Sequence, residues 1–237
     1  VLAGGILKRG DLENKTQILE ELISGTKQIS LANYEPNKGY NLDNVDCEIG
    51  SDGIVNGTKN TVLNAPNADF FLVFGRQGSG YAFALIPKDA AGLEVVGYKT
   101  YDGFVSGDLK LNKCKAEAVF SSKNALEILD ETIQEAIVCI CSEAIGAMEK
   151  CYKLTIEYTQ QREQFGQSLS KFQALQHRMV DMFMETEFTK SFLLKVLATE
   201  DANEKTKLIY GLKNQVAKAG KKVGEEAVQL HGGMGVT

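Results

Sequence analysis

Arg162 stands inside the stretch TQQREQFGQSLSKFQALQHR (Thr159 to Arg178), with Gln164, Phe165 and Gln173 close behind it. A guanidinium presents a planar fork of donors that matches a phosphate bidentately, and carboxamides beside it add neutral hydrogen bonds. The stretch also separates two apolar-periodic segments, so Arg162 falls at a helix C-terminus, where a cation simply stabilises the negative end of the dipole. Both readings stand on the residues alone. A second polar group follows at Gln229 and in HGGMG (His231 to Gly235). Gly232 and Gly233 there can bring backbone N–H groups against a phosphate or ring edge, or can merely cap a helix and begin a turn.

Other chemistries lack their residues. The chain has no Gx4GK[ST] phosphate loop, and its Ser, His and Asp residues form no nucleophilic constellation. Five cysteines without a CxxC pair and only two histidines give no expectation of a zinc site. Cys139, Cys141 and Cys151 fall in a helical pattern, where a free thiol behaves as a small buried hydrophobe, so a reducing, cytoplasmic setting is expected. A net charge of −5 over 237 residues argues against a nucleic-acid surface. No apolar run reaches the roughly 18 residues of a membrane helix, and VLAGGILKRG does not read as a secretory leader.

Three zones must position these groups. In residues 1 to 28, Ile18, Leu19 and Leu22 have helical spacing and Gly25 offers a stop. This zone reads as the end of a helical domain whose earlier part precedes Val1. Residues 29 to 122 change period. GIVNGTKNTVLNA predicts strand, Asn56-Gly57 turn and strand, and short apolar runs such as ADFFLVFG and YAFALIP follow. The expected fold is α+β, with this middle zone an antiparallel barrel or sandwich. Residues 123 to 237 read as an up-down helical bundle. Its first helix would bury Ile133, Ile137, Ile140, Ala144, Met148, Cys151 and Tyr158; its second, Leu175 through Val196; its third, Leu208 through Leu230. Connections are expected at 162–169 and 199–204, with Ser170 and Gln173 at capping-box spacing.

Taken together, these segments resemble the acyl-CoA dehydrogenase family. YTQQREQFGQSLSKFQ is similar to its Y-x3-R-x-Q-F-G-x5-F-Q segment, AVQLHGGMGVT to its A-x-Q-x-x-GG-x-G segment, and NGTK to the NG-x-K strand of its β domain. ISLANYEP occupies the place of A-x-T-E-P, and YKTYDG, CSEAIGAMEK and FQALQHRMVDMF have the look of the bacterial type that includes the pimeloyl-CoA dehydrogenase small subunit. The resemblance implies a flavoprotein oxidoreductase of fatty acid metabolism that binds FAD, desaturates an acyl-CoA thioester and passes electrons to an electron-transferring flavoprotein. It implies a homo- or heterotetramer truncated at both ends. It carries Arg162, Gln164, Phe165 and Gln173 onto positions that contact the FAD of a neighbouring subunit, and Gln229, Gly232 and Gly233 onto a second such contact. The catalytic base of the family is implied beyond Thr237; its alternative position falls at Ala136, and the adjacent Glu135, about 100° around a helix, is not assigned. The chain departs from the family at Tyr34, where a Thr is usual, at Gly39 to Asn41, and at Thr61 to Leu63, in place of Trp-Ile-Thr. These departures leave two expectations open: a dehydrogenase, or a non-catalytic subunit that completes a partner's flavin site.

Overall fold

Residues 1–12, 14–120 and 124–236 are described by the computed structural model. The chain divides into two compact units, Val1–Ile133 and Gln134–Thr237. The boundary expected at 122/123 lies at residues outside those described.

The first unit opens with two helices, α1 (Leu2–Arg9) and α2 (Lys15–Ser24). Gly25 ends α2 at φ 75, a left-handed cap that glycine takes without steric cost. Eight strands follow among the described residues of this unit: β1 (Ile29–Ala32), β2 (Glu48–Ile49), β3 (Ile54–Leu63), β4 (Phe70–Gln77), β5 (Gly80–Pro87), β6 (Leu93–Lys99), β7 (Val105–Lys115) and β8 (Ala118–Phe120). They pair in the order β6-β7-β3-β2-β4-β5-β8, with β1 added alongside β4. The sheet is mixed: β1 and β2 both run parallel to β4, which corrects the antiparallel expectation. β4 is buried on both faces, with Phe71, Leu72, Val73 and Phe74 all at 0% exposure, and this explains its continuous apolar run.

The expected Asn56-Gly57 hairpin does not form; both residues lie inside β3. Between Val55 and Gly57, β3 advances two residues while β7 advances three, from Cys114 to Leu111. The extra residue makes a β-bulge in which Lys113 takes φ 55 and donates its N–H to the Asn56 carboxamide oxygen at 2.8 Å. Gly57 is needed for a different reason. A Cβ there would sit 2.8 Å from the Cys47 Cα. A second bulge reverses the count: β3 advances from Lys59 to Val62 against Leu109 to Gly107, and Thr61 takes φ 54.

The second unit holds most of α3 (Ala125–Gln161), then α4 (Gln173–Ala198) and α5 (Ala202–His231). Two apolar clusters join them, one on Cys141, Ile145, Val196 and Leu212, the other on Met148, Met182, Val223 and Leu230. The α5 stripe falls where periodicity places it, with Ile209 buried in place of the half-buried Leu208. The α3 stripe does so in part. Met148 is buried and Ile133, Ile137, Ala144 and Cys151 are half-buried and pack against the apolar clusters, whereas Ile140 is 53% exposed and Cys139 is exposed. The most buried track, Cys141, Ile145, Met148, Tyr152, Thr155 and Thr159, runs along the edge of that row. It includes threonines: Thr155 donates to the Cys151 carbonyl at 2.9 Å and Thr159 to Ile156, which satisfies their hydroxyls inside an apolar seam.

The connection from α3 to α4 runs longer than expected, to Phe172. The Ser170–Gln173 capping box is not made. Phe172 is the N-cap, and Ser170 instead sits in a short 3-10 turn with its hydroxyl paired to Ser168. By contrast Asp201 caps α5 through its carboxylate, accepting from Glu204 N–H at 2.7 Å.

Candidate functional site

Between α3 and α4 the chain makes a miniature hairpin of β9 (Glu163–Gln164) and β10 (Gln167–Ser168). Phe165 (φ 55) and Gly166 (φ 80) form its tip, both in the left-handed region that a two-residue hairpin turn favours. A phenylalanine there costs about 1–2 kcal/mol relative to glycine. Phe165 is nonetheless 90% exposed, and its ring meets Phe172 edge to face at 6.2 Å. The hairpin is closed at its base by Leu169 N–H donating to the Arg162 carbonyl at 2.9 Å.

Arg162 follows the last turn of α3, its own N–H bonded to the Tyr158 carbonyl. Its guanidinium is exposed and pairs with no carboxylate among the described residues. At the other side of the same cleft α5 ends. Gly232 (φ 60) caps it by donating to the Gln229 carbonyl, and a 3-10 turn, Gly232–Val236, carries the chain away. A Cβ built on Gly232 or Gly233 would meet nothing within 4 Å, so the backbone there is open to a ligand. Gly235 is different: a Cβ would come within 2.5 Å of the Val228 carbonyl, and the turn folds back on α5 only because that atom is missing.

These ends enclose a cleft of about 450 Å³ in which Arg162, Gln164, Gln229, Gly232 and Gly233 meet. Five of the seven residues singled out from the sequence thus converge. Phe165 and Gln173 do not line it; Phe165 stands at the hairpin tip and Gln173 is the exposed first residue of α4. The cleft also contains residues to which the sequence gave no ligand role: Tyr158, expected only in the α3 apolar row, Arg178 and His231, with Leu169 and Leu175 as apolar wall. His231 stacks on Tyr158 at 4.3 Å between ring centroids, and its Nδ1 donates to the Ala227 carbonyl at 2.8 Å. Arg178 is held at Nε by Glu226, which keeps its guanidinium more firmly protonated than usual. The one sequence signal for Arg178 is its spacing of three from Leu175, which puts both on one face of α4. Gln176 and His177 stay outside; Gln176 Nε2 instead donates to the Ser170 carbonyl at 2.8 Å.

A cleft with an unneutralised guanidinium, two carboxamides and an open Gly-Gly backbone suits the diphosphate of a dinucleotide. In the first unit, two backbone donors of the stretch around Tyr34 and Thr61 are spent internally. Asn60 N–H donates to the Tyr34 carbonyl at 3.0 Å, and Thr61 N–H, released from the ladder by its bulge, donates to Asp108 Oδ1 at 3.0 Å. Beside them Lys59, fully buried, donates to Glu35 at 2.7 Å, and Glu35 also accepts from Asp46 and Cys47 N–H. Among the described residues no cluster of His, Cys, Asp and Glu could hold a metal ion, and no helix is long and apolar enough to cross a membrane.

Residues 126–237 match the family model described as acyl-CoA dehydrogenase, C-terminal domain. Along 97% of its length the chain is 25% identical to a mitochondrial isovaleryl-CoA dehydrogenase of Solanum tuberosum, of which it covers 60%. Along 95% it is 28% identical to a probable acyl-CoA dehydrogenase, YngJ, of Bacillus subtilis strain 168, of which it covers 64%. The chain therefore spans under two thirds of the length of these relatives. Its fold is shared with a solved structure described as PigA with FAD and proline, at a TM-score of 0.91 and 24% identity, over 100% of this chain and 66% of that one.

Proposed function

We propose, from a family-model match and relatives that support the acyl-CoA dehydrogenase family, that this chain is part of an FAD-dependent acyl-CoA dehydrogenase. The observation that carries the reading is the cleft joining Arg162, Gln164 and Gln229 to the Gly232-Gly233 backbone. Those residues fit the diphosphate and adenosine end of FAD. Arg162 would bind a phosphate bidentately, Gln164 and Gln229 would donate amide hydrogens to phosphate or ribose oxygens, and the glycines would let the main chain approach. Phe165, displayed at the hairpin tip, and Gln173 would flank the same ligand.

When bound, the flavin supplies a hydride acceptor for the β-carbon of an acyl-CoA whose α-proton a carboxylate base removes. The work of the described residues is orientation: a rigid α3–hairpin–α4 junction and a capped α5 end hold the dinucleotide in one place. No described residue is assigned as base; Glu135 is exposed on α3. An electron-transferring flavoprotein is the proposed acceptor. The proposed layout is the end of a helical domain over 1–28, a β domain over 29–122 and a bundle over 123–237.

In this reading the cleft serves a flavin held mainly by a neighbouring subunit, which calls for a tetramer. Support comes from the outer face of α4, where Val180, Phe183, Met184, Phe188, Leu194 and Leu197 are exposed at helical spacing. A second reading is favoured by the internally spent donors at Asn60 and Thr61 and by Tyr34 in the place of a threonine. It makes the chain a non-catalytic subunit, of the small-subunit type, that completes a partner's flavin site. Flavin content separates them. The dehydrogenase reading expects a yellow protein with about one FAD per chain that reduces an artificial dye when given acyl-CoA. A colourless, homogeneous protein that gains flavin only with a partner would establish the second.

A further inference from the structure

We propose that Arg178 is a second phosphate-binding cation of the cleft, delivered to it by Glu226. The inference rests on the reading of the cleft as a dinucleotide diphosphate site. Charge counting motivates it. A diphosphate ester carries two negative charges, and Arg162 alone matches one of them. Arg178 lines the same cleft. Its Nε donates to Glu226, and a guanidinium has five N–H groups, so the Nη edge is available to a second acceptor.

The placement follows from helical spacing. Leu175 and Arg178 share a face of α4, and Glu226 and Gln229 share a face of α5, so the Arg178–Glu226 pair lies next to Gln229. Gln229 in turn precedes the open Gly232-Gly233 backbone by one turn of helix. A neighbouring pair serves as a contrast: Lys222 donates to Glu185 at 3.0 Å, also bridging α5 and α4, but neither residue lines this cleft. Lys222–Glu185 is a clasp between helices. Arg178–Glu226 is a clasp whose cation also faces a cavity holding another guanidinium and no further carboxylate lining it. Glu226 fixes one edge of Arg178 before ligand arrives, which reduces the side-chain entropy lost on binding.

Calorimetric titration with ADP, a soluble probe carrying the diphosphate and adenosine, tests this on the purified protein with Arg178→Ala, Arg178→Lys, Glu226→Gln and Arg162→Ala. Arg178→Ala is expected to weaken ADP binding about tenfold or more, the scale of a charged hydrogen bond. Arg178→Lys should recover part of the loss, and Glu226→Gln should weaken ADP binding less than Arg178→Ala does, because a carboxamide oxygen still accepts from Arg178 Nε but holds that edge less firmly. Thermal unfolding of each variant supplies the second readout. If Arg178→Ala and Glu226→Gln both unfold at lower temperature while binding ADP like the parent, Arg178 is a helix clasp only and the inference is overturned. Loss of ADP binding in Arg162→Ala with none in Arg178→Ala would overturn this inference and leave the cleft reading intact. A parent protein freed of flavin, still folded, that takes up no ADP would overturn both.

Discussion

Lys59 has no solvent exposure, and its ammonium lies 2.7 Å from Glu35, whose carboxylate also accepts two backbone N–H groups. Removing one partner of such a pair strands the other, so Lys59→Met should destabilise the protein by about 3–5 kcal/mol in urea unfolding. An unchanged midpoint would show the pair to be dispensable. The thiols differ in the same way, through their surroundings. Burial pushes Cys47 up to about 11, while Cys139 is exposed. Iodoacetamide at pH 8 should therefore label Cys139 and spare Cys47, as peptide mass spectrometry would read. The raised thiol also has a stability consequence. The unfolded thiol ionises near pH 8.5, so its contribution is complete below that pH and is lost as pH rises from there towards 11. Cys47→Ala should flatten that alkaline decline.

Among the elements, long helices were legible from the sequence because three- and four-residue spacing persists over many turns, as along α5 from Leu212 to Leu230. On α3 the expected row packs except at Ile140, and the sequence could not show that Thr155 and Thr159, polar by type, are buried with their hydroxyls bonded to the preceding turn. Asn56-Gly57 carries a hairpin signal, yet pairing with β7 on one side and close approach to Cys47 on the other keep both residues in one strand. Tertiary packing overrode turn chemistry there. Gly57→Ala should consequently cost about 1–3 kcal/mol or more, because its Cβ would overlap the Cys47 backbone and the strand must shift. A thermal midpoint equal to the parent's would contradict that packing. For the cleft, residue type alone left Arg162 between a dipole partner and a phosphate clamp, and Gln164 and Gln229 gained a ligand role only through the family resemblance. Arg178 gained none, since its role depends on a helix-to-helix pairing with Glu226, 48 positions away in sequence.

At the scale of the whole molecule, α4 has two apolar faces. One packs on α3 and α5 through Met179, Met182 and Val196; the other exposes Phe188 at 62% and Leu194 at 60%. Such a stripe on an otherwise charged helix is suited to contact between subunits. Phe188→Asp should shift the protein to a smaller assembly by light scattering, with its circular dichroism spectrum unchanged; an unaltered mass would remove this face from the interface. What the Arg162 cleft holds decides what the molecule does. Equilibrium FAD binding to the assembled protein, compared between the parent and Arg162→Ala, tests it most directly. Loss of a bidentate, charge-assisted contact predicts roughly 10- to 100-fold weaker FAD binding in Arg162→Ala. FAD affinity equal to the parent's in a folded Arg162→Ala protein of the same assembly state would contradict the account.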